Sequence, residues 1–297
     1  AEQAIRDRLA EPLGLGVLEA AAGIYEVVTA KMSDLIRKVT VESGLDPREF
    51  VLFAYGGASP AHAALYGHGI GAREVIVPHA APVFSALGVA LADLLYTFAR
   101  SEPMPLVPDP AVIARFNAIF ESLERQAGRT VAASGFRPEQ AALSRKLDLR
   151  YEGQMNEITV PWQPGGLTAE KLPEVRRVFE EAYATRFGRA TARGESPLEV
   201  ITFRVEALRI SEKPRLQAEP ETAGDPARAR KGAREVWLRP FGAFAAQVYD
   251  FAGLGPGSRL AGPAIIERRD TTVFIPPGFA ARVDGYRNVR IGREGNP

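Results

Sequence analysis

The sequence predicts an α/β lobe followed by α+β and β-rich regions, on three observations. Residues 51 to 95 run strand, glycine turn, helix, strand, helix. Residues 143 to 151 alternate apolar and polar side chains between two amphipathic helical segments. From 235 to 291, short apolar runs are separated by Gly and Pro. With 297 residues, 46% hydrophobic and 25% charged, the chain is long enough to bury a substantial core.

Leu18, Ala21, Tyr25, Val28, Met32, Leu35 and Val39 recur at spacings of three and four, and Gly44 and Asp46-Pro47 end the run. This predicts one long amphipathic helix from Val17 to Ser43. A coiled coil would show the same spacing. Packing against a domain core is favoured because the run lasts only about three heptads and two seam positions are small or aromatic. Val51 to Tyr55 reads as a short buried strand. Gly56-Gly57 follows, with two residues free to adopt φ > 0 and no Cβ to hold a ligand away. Ser59 stands where an N-cap belongs, Pro60 falls at the first helical position, and Ala61 to Tyr66 continues the helix. A helix N-terminus reached through glycines suits a phosphate, a ribose or the edge of a base. Gly67, Gly69 and Gly71 lack dinucleotide-loop spacing and read as the helix exit.

Glu74 to Val77 is a second strand, and Ser85 to Leu95 a helix with Ser85 as its cap. Asp93 ends that apolar helix and must be capped, paired or functional; a structural role is expected. Glu102 to Pro110 holds four prolines and reads as an extended linker. Asp109-Pro110 then starts a helix with Val112, Phe116, Ile119, Phe120, Leu123 and Val131 on one face. Leu143 to Tyr151 and Ile158 to Trp162 form a hairpin across Gly153. A helix from Leu172 stops at Gly188, and Leu198 to Ile210 returns as a strand with a bulge expected at Ala207-Leu208. Glu212 to Ala233, rich in Pro, Ala, Glu and Arg, reads as a mobile surface insertion; the basic cluster Arg228, Arg230, Lys231 and Arg234 at its end could touch an acidic partner, but a solvated loop is favoured. The expected divisions are 1–102, 103–211, a linker 212–233 and a β-rich module 234–297.

A formal net charge of +1 argues against a dedicated nucleic-acid surface. The absence of cysteine removes disulfides and thiolate chemistry and, with no visible secretory signal, fits the cytoplasm. The most apolar stretch, Pro82 to Leu95, is too short for a membrane span and carries Asp93. His62, His68 and His79 form no metal-binding spacing, so no metal site is assigned. The sequence contains neither G-x-x-x-x-G-K-[ST] nor a G-x-S-x-G elbow. Asp148 and Glu152 share a strand face and could pose as an acid/base pair, but exposed strand carboxylates beside Lys146 and Arg150 are the commoner case.

Three words in order, YGGASP-AHA (55–63), REVIVP (73–78) and APVFSALGVALAD (81–93), resemble the nucleotide-site region of the hydantoinase A / 5-oxoprolinase family, which includes the ATP-using subunits of acetone and acetophenone carboxylases. Ser59 stands where the family usually has a glycine. Arg150 to Gln154, Glu180 to Gly188, Val248 to Asp250, Leu254 to Gly257, Gly262 to Glu267 and Asp270 to Thr272 resemble further family words, so the likeness covers nearly the whole chain.

The resemblance implies part of an actin-like (ribonuclease H-like) ATPase lobe followed by a C-terminal β-rich module. It implies an enzyme using ATP and Mg²⁺ to open a small cyclic amide such as a hydantoin or 5-oxoproline, or to carboxylate a ketone. Gly56, Gly57, Ala58, Ser59, Pro60 and His62 would form the adenosine side. No acidic-glycine phosphate loop lies upstream of Gly56, so the phosphate and metal side would come from an absent N-terminal half or a complementary subunit. A hydantoinase B-type subunit would be a further partner. The chain also begins with Ala1 and no initiator Met, which reads as the C-terminal part of a longer protein or one piece of a split subunit. An assembly module without catalysis, or a complete small ATP-binding enzyme, are the other readings; the catalytic residues are not identifiable from sequence.

Overall fold

In the computed structural model, which describes residues 1–188, 196–222, 224–239 and 241–295, the chain forms five principal helices and thirteen strands. After a helical segment over Glu2–Leu13, bent by 92° from the helix that follows, come α1 (Val17–Glu42), β1 (Val51–Phe53), α2 (Ser59–Gly69), β2 (Glu74–Val77) and α3 (Phe84–Leu91). Next are β3 (Leu94–Pro105), α4 (Pro110–Ala133), β4 (Ala142–Tyr151), β5 (Ile158–Trp162), α5 (Leu172–Phe187) and β6 (Leu198–Arg209). The remainder is β7 (Arg230–Leu238), β8 (Gly242–Asp250), β9 (Arg259–Ala261), β10 (Ala264–Glu267), β11 (Thr272–Ile275), β12 (Phe279–Val283) and β13 (Val289–Arg293). Among the described residues no single helix is long and apolar enough to cross a membrane.

The chain divides into two compact units, Ala1–Ala90 with Pro214–Pro297, and Leu91–Lys213. These divisions differ from the sequence-based ones at 102, 211 and 233, and pairing across the sequence explains why. Strands β1 and β2 are parallel and only three and four residues long. They gain a partner when β13 pairs antiparallel with β2, placing Val289 opposite Val77 and Ile291 opposite Val75. The resulting sheet runs β1-β2-β13-β12-β9, and a second runs β11-β10-β8-β7. Ala54, Ala63, Tyr66 and Val77 from the N-terminal stretch share one core with Leu254, Ile266, Ile275, Val283 and Ile291. The β-rich region is therefore part of the first lobe's core and not a module of its own.

The expected linker 212–233 is likewise docked, residue 223 lying outside the described residues. The Glu219 amide donates to Gly285 O at 2.8 Å, and the Glu221 carboxylate pairs with Arg282 at 3.0 Å. Arg230 onward forms β7, where Lys231 and Arg234 both hold Glu267, at 2.6 and 2.7 Å. Part of the basic cluster is thus neutralised by one carboxylate. The long helix α1 extends over the expected range, but Leu18, Leu35 and Val39 of the proposed seam are exposed. Ala20, Ala22 and Ser33 are its buried residues, and Met32 and Ile36 pack against the core.

In the second unit, the antiparallel sheet β3-β6-β4-β5 carries a core built with α4 and α5. Asp109 caps α4 by accepting from the Ala111 amide at 2.7 Å. Phe116 and Phe120 meet Phe203 edge-on, with centroids 5.1 and 5.3 Å apart. The segment expected as a proline linker instead continues β3 to Pro105. Strand β3 lies on the sheet edge, where missing N–H groups are tolerated, and a register break between Ser101 and Met104 accommodates Glu102-Pro103. The break on β6 falls between Val200 and Thr202, six residues before the expected bulge. Helix α3 stops at Leu91 because Leu94 already pairs with Arg209. Asp93 takes a structural role, accepting from the Ser211 amide at 2.9 Å and pairing with Lys213, which ties together the two ends of this unit.

Asp148 is not half of an acid/base pair. It is 1% exposed, accepts from Arg204 Nη2 at 2.6 Å and from Thr159 Oγ1 at 2.6 Å, while Glu152 lies beyond the strand end and exposed. Removing the cation from a buried carboxylate leaves a charge without its partner. Arg204→Met should therefore destabilise the protein by about 3 kcal/mol, read as a lower urea midpoint at unchanged slope.

Candidate functional site

The turn after β1 is set by short backbone bonds. The Ala54 amide donates to Ile76 O at 2.9 Å, holding the strand end against β2, and the Gly56 amide donates to Ala81 O at 2.7 Å. Gly56 has φ +88°, a conformation that a side chain disfavours, and a Cβ there would meet nothing within 4 Å. Its open face points into free space. From the C-terminal half, buried Thr271 reaches the same turn: its hydroxyl lies 2.9 Å from Gly57 O and 3.2 Å from Gly56 O. One hydroxyl hydrogen is shared between two carbonyls. Gly57 and Ala58 are exposed.

Ser59 is the first residue of α2 and Ala58 its cap position, one residue earlier than the sequence pattern predicts. The Ser59 hydroxyl is not spent on capping; it bonds the Tyr66 hydroxyl at 2.7 Å, two turns along. Pro60 is buried in the first turn. Deeper in α2, Gly67 is required by packing, because a Cβ there would lie 2.4 Å from Val75 Cγ2. Gly71, at φ +77°, closes the exit. The N-terminus of α2 thus faces solvent behind a turn whose amides and carbonyls are fixed by β2, Ala81 and Thr271.

His62 lies on α2 against α1. Tyr25 stacks on its ring with centroids 4.3 Å apart, and Tyr25 Oη donates to Ala61 O at 2.8 Å. Thr29 Oγ1 donates its only hydrogen to Tyr25 O at 2.8 Å, so it accepts from His62 Nδ1–H at 3.1 Å. That assigns the Nδ1–H tautomer and leaves Nε2 as an acceptor. Burial holds the imidazole below its ordinary pKa of 6.5 and so favours the neutral ring, in which Nε2 is the acceptor.

Three aromatic residues that the motif reading passed over flank the turn. Phe53, Tyr55 and Phe84 cluster, with Phe53 and Phe84 stacked at 6.3 Å and Tyr55 tilted on Phe84 at 5.2 Å, yet Phe53 and Tyr55 remain 48% and 47% exposed. An aromatic shelf beside exposed backbone can take a flat heterocycle and hydrogen-bond its edge. Thr271 was legible only as part of a family word; its role depends on a contact spanning more than two hundred residues. Among the described residues there is no group of three or more His, Asp or Glu able to hold a metal.

A family model described as hydantoinase/oxoprolinase matches residues 1–98, and one described as the hydantoinase/oxoprolinase C-terminal domain matches residues 109–292. The acetone carboxylase beta subunit of Xanthobacter autotrophicus is 31% identical over 291 residues, covering 96% of this chain and 41% of the relative. The solved nucleotide-free acetone carboxylase aligns with a TM-score of 0.85 at 30% identity, over 98% of this chain and 42% of that one. The ATP-dependent caprolactamase of Pseudomonas jessenii aligns at 0.69 and 26%, again over 98% and 42%. The chain therefore spans about two fifths of the length of these relatives.

Two outcomes follow from this geometry. Thr271→Val keeps the shape and removes the shared hydrogen; a loss of about 1 kcal/mol and faster amide exchange at Gly56 to Ser59 are expected, and unchanged exchange would show that the turn does not depend on Thr271. The second concerns pH. His62, His68 and His79 are all held below 6.5, first by burial, and for His68 and His79 also by neighbouring arginines. The unfolded chain then binds protons first as pH falls, so this stability is complete above about pH 6.5 and lost below it. Urea midpoints should fall between about pH 8 and about pH 5.5, with imidazole NMR titrations below the free-histidine value; a flat or rising midpoint contradicts the assignment.

Proposed function

This chain belongs to the hydantoinase/oxoprolinase family, and from that premise we propose that it is the C-terminal portion of an ATP-dependent enzyme and supplies the adenosine side of the nucleotide site. The observation that carries the reading is the braced turn Gly56–Pro60 at the open N-terminus of α2, beside the exposed shelf of Phe53 and Tyr55. The adenine would lie on the aromatic shelf, and the exposed backbone of Gly57 and Ala58 would meet its edge or the ribose. His62 fixes α2 on α1 and offers Nε2 as an acceptor.

ATP would phosphorylate a carbonyl oxygen, making an amide electrophilic or trapping an enolate. The residues at this turn fit the nucleoside; Mg²⁺ and the phosphates bound with it would need other residues, since no acidic cluster able to hold a metal stands at the turn among the described residues. Those groups would be held by the N-terminal half or a complementary subunit, and the substrate centre would involve a B-type partner. The lobe would be part of an actin-like ATPase. Opening of a small cyclic amide is the first substrate reading, supported by the family description and the caprolactamase likeness. Ketone carboxylation is the second, favoured by the higher TM-score, 0.85 against 0.69, to acetone carboxylase.

Gly56→Asn tests the site, because asparagine tolerates the left-handed backbone better than other side chains while filling the open space. Adenosine added to the 297-residue chain should shift the amide resonances of Tyr55 to Ala58, and Gly56→Asn should weaken that binding at least about tenfold, equivalent to about 1.4 kcal/mol, with the fold retained. Adenosine that leaves those resonances unmoved, or binds the variant equally well, would falsify the adenosine assignment.

A further inference from the structure

A concavity in the first unit, about 500 Å³, is lined by His79, Asp250, Phe251, Arg268, Asp270 and Arg287 among others. It is built from three connections distant in sequence: the exit of β2, the turn after β8 and the β12–β13 turn, closed by the β10–β11 turn. Phe251, 5% exposed, forms the floor. The Arg268 guanidinium lies over its ring at 4.6 Å and that of Arg287 at 5.8 Å, while the His79 imidazole tilts on it at 5.7 Å. Two planar cations thus share one aromatic support.

The carboxylates nearby do not neutralise both. Asp250 accepts from the Ala252 amide at 3.0 Å, capping the short turn Phe251–Gly253. Asp270 approaches Arg268 Nε only to 3.5 Å, and Arg268 Nη1 donates to His79 O. Arg287 has no carboxylate partner among the described residues; Nη2 donates to Leu254 O at 3.2 Å, and its buried Nε has no hydrogen-bond partner. A guanidinium nitrogen left buried and unpaired is costly unless something else binds it.

The backbone carries an independent sign. Arg287 is the one described non-glycine residue at positive φ, +60°. The turn that imposes this is firmly tied: Asp284 accepts from the Tyr286 and Asn288 amides at 3.0 and 2.9 Å, and Asn288 Oδ1 accepts from the His79 amide at 2.9 Å. Glycine or asparagine would suit that position at lower conformational cost. An arginine kept in a left-handed turn, with an unpaired buried Nε over an aromatic floor, is arranged for its side chain.

We propose that this cavity is a binding site for an oxyanion, a carboxylate or phosphoryl group of a small molecule, held by Arg287 and Arg268 over Phe251. The fork of a guanidinium matches two coplanar oxygens, and the second arginine adds charge without a steric conflict. His79, held below its ordinary pKa by burial, Arg268 and Arg287 against a small opposing effect of Glu219, would become easier to protonate once an anion offsets those arginines. The cavity lies beside the adenosine turn, since its lining residue Asp270 places its backbone oxygen 3.5 Å from where a Cβ on Gly57 would stand, but the proposal does not depend on that reading.

The test is thermal unfolding of the 297-residue chain in inorganic phosphate, in acetate and in chloride at matched ionic strength. Phosphate or acetate should raise the midpoint by a few degrees over chloride, which is about what a ligand at many times its Kd gives; the more effective of the two identifies a phosphoryl or a carboxylate ligand. Arg287→Gly relieves the left-handed backbone, so the fold is kept, and it should abolish the shift; Arg268→Gln, which leaves the turn untouched, should reduce it several-fold. No shift with either anion beyond chloride, or a full shift in Arg287→Gly, overturns the site. Should Arg287→Gly not fold, Arg268→Gln decides: a full shift there overturns it equally.

Discussion

The antiparallel pairing of β13 with β2 is the contact on which the first unit depends. A three-residue and a four-residue parallel strand bury too little on their own to stay paired. The third strand adds ladder bonds on the open edge of β2. Its Arg290 closes on Glu74 with a forked ion pair whose Nε–Oε1 distance is 2.7 Å. The link joins residues separated by more than two hundred positions, so the N-terminal turn and the C-terminal strands form one folding unit. It also explains why Thr271 can brace a turn at Gly56: once β13 lies beside β2, β12, β11 and β10 follow into the same core.

That dependence sets what was legible in the sequence. Elements whose signal is local came through: α1, α2, α4 with its Asp109 cap, the β4–β5 hairpin and α5 ending before Gly188 all lie close to their predicted positions. Elements whose end is decided by a distant partner did not. Pro103 and Pro105 look like linker residues until β6 is seen to make β3 an edge strand, and Leu94-Leu95 look helical until they pair with Leu208 and Arg209. The prolines signalled a missing donor correctly; only topology could show that no donor was needed there.

The candidate site divides in the same way. The glycines, Pro60 and His62 stand out by residue type and order, because a bare backbone ahead of a helix is a local pattern. Ser59 fits a capping pattern but is drawn to Tyr66, a partner seven residues on that a cap rule does not consider. The aromatic shelf was invisible for a different reason. Phe53 and Tyr55 alternate with Ala54 along a strand end, and in sequence this looks like core; in the fold Ala54 is buried and the two rings face outward to meet Phe84.

The bracing of the turn bears on how it could bind. Ordering a loop residue costs about 1–2 kcal/mol, enough to cancel a weak contact with a nucleoside. Here Gly56 is fixed on its amide side by Ala81 and on its carbonyl side by Thr271, and Ala61 N–H closes back on Ala58 O at 3.1 Å. The ordering cost is met during folding by the β2–β13 and β10–β11 pairings, so a ligand arriving at Gly57 and Ala58 would meet backbone already in position. Glycine at 56 and 57 would loosen a turn left to itself. Tied from three directions, the same two residues give close access to backbone without the flexibility that usually accompanies it.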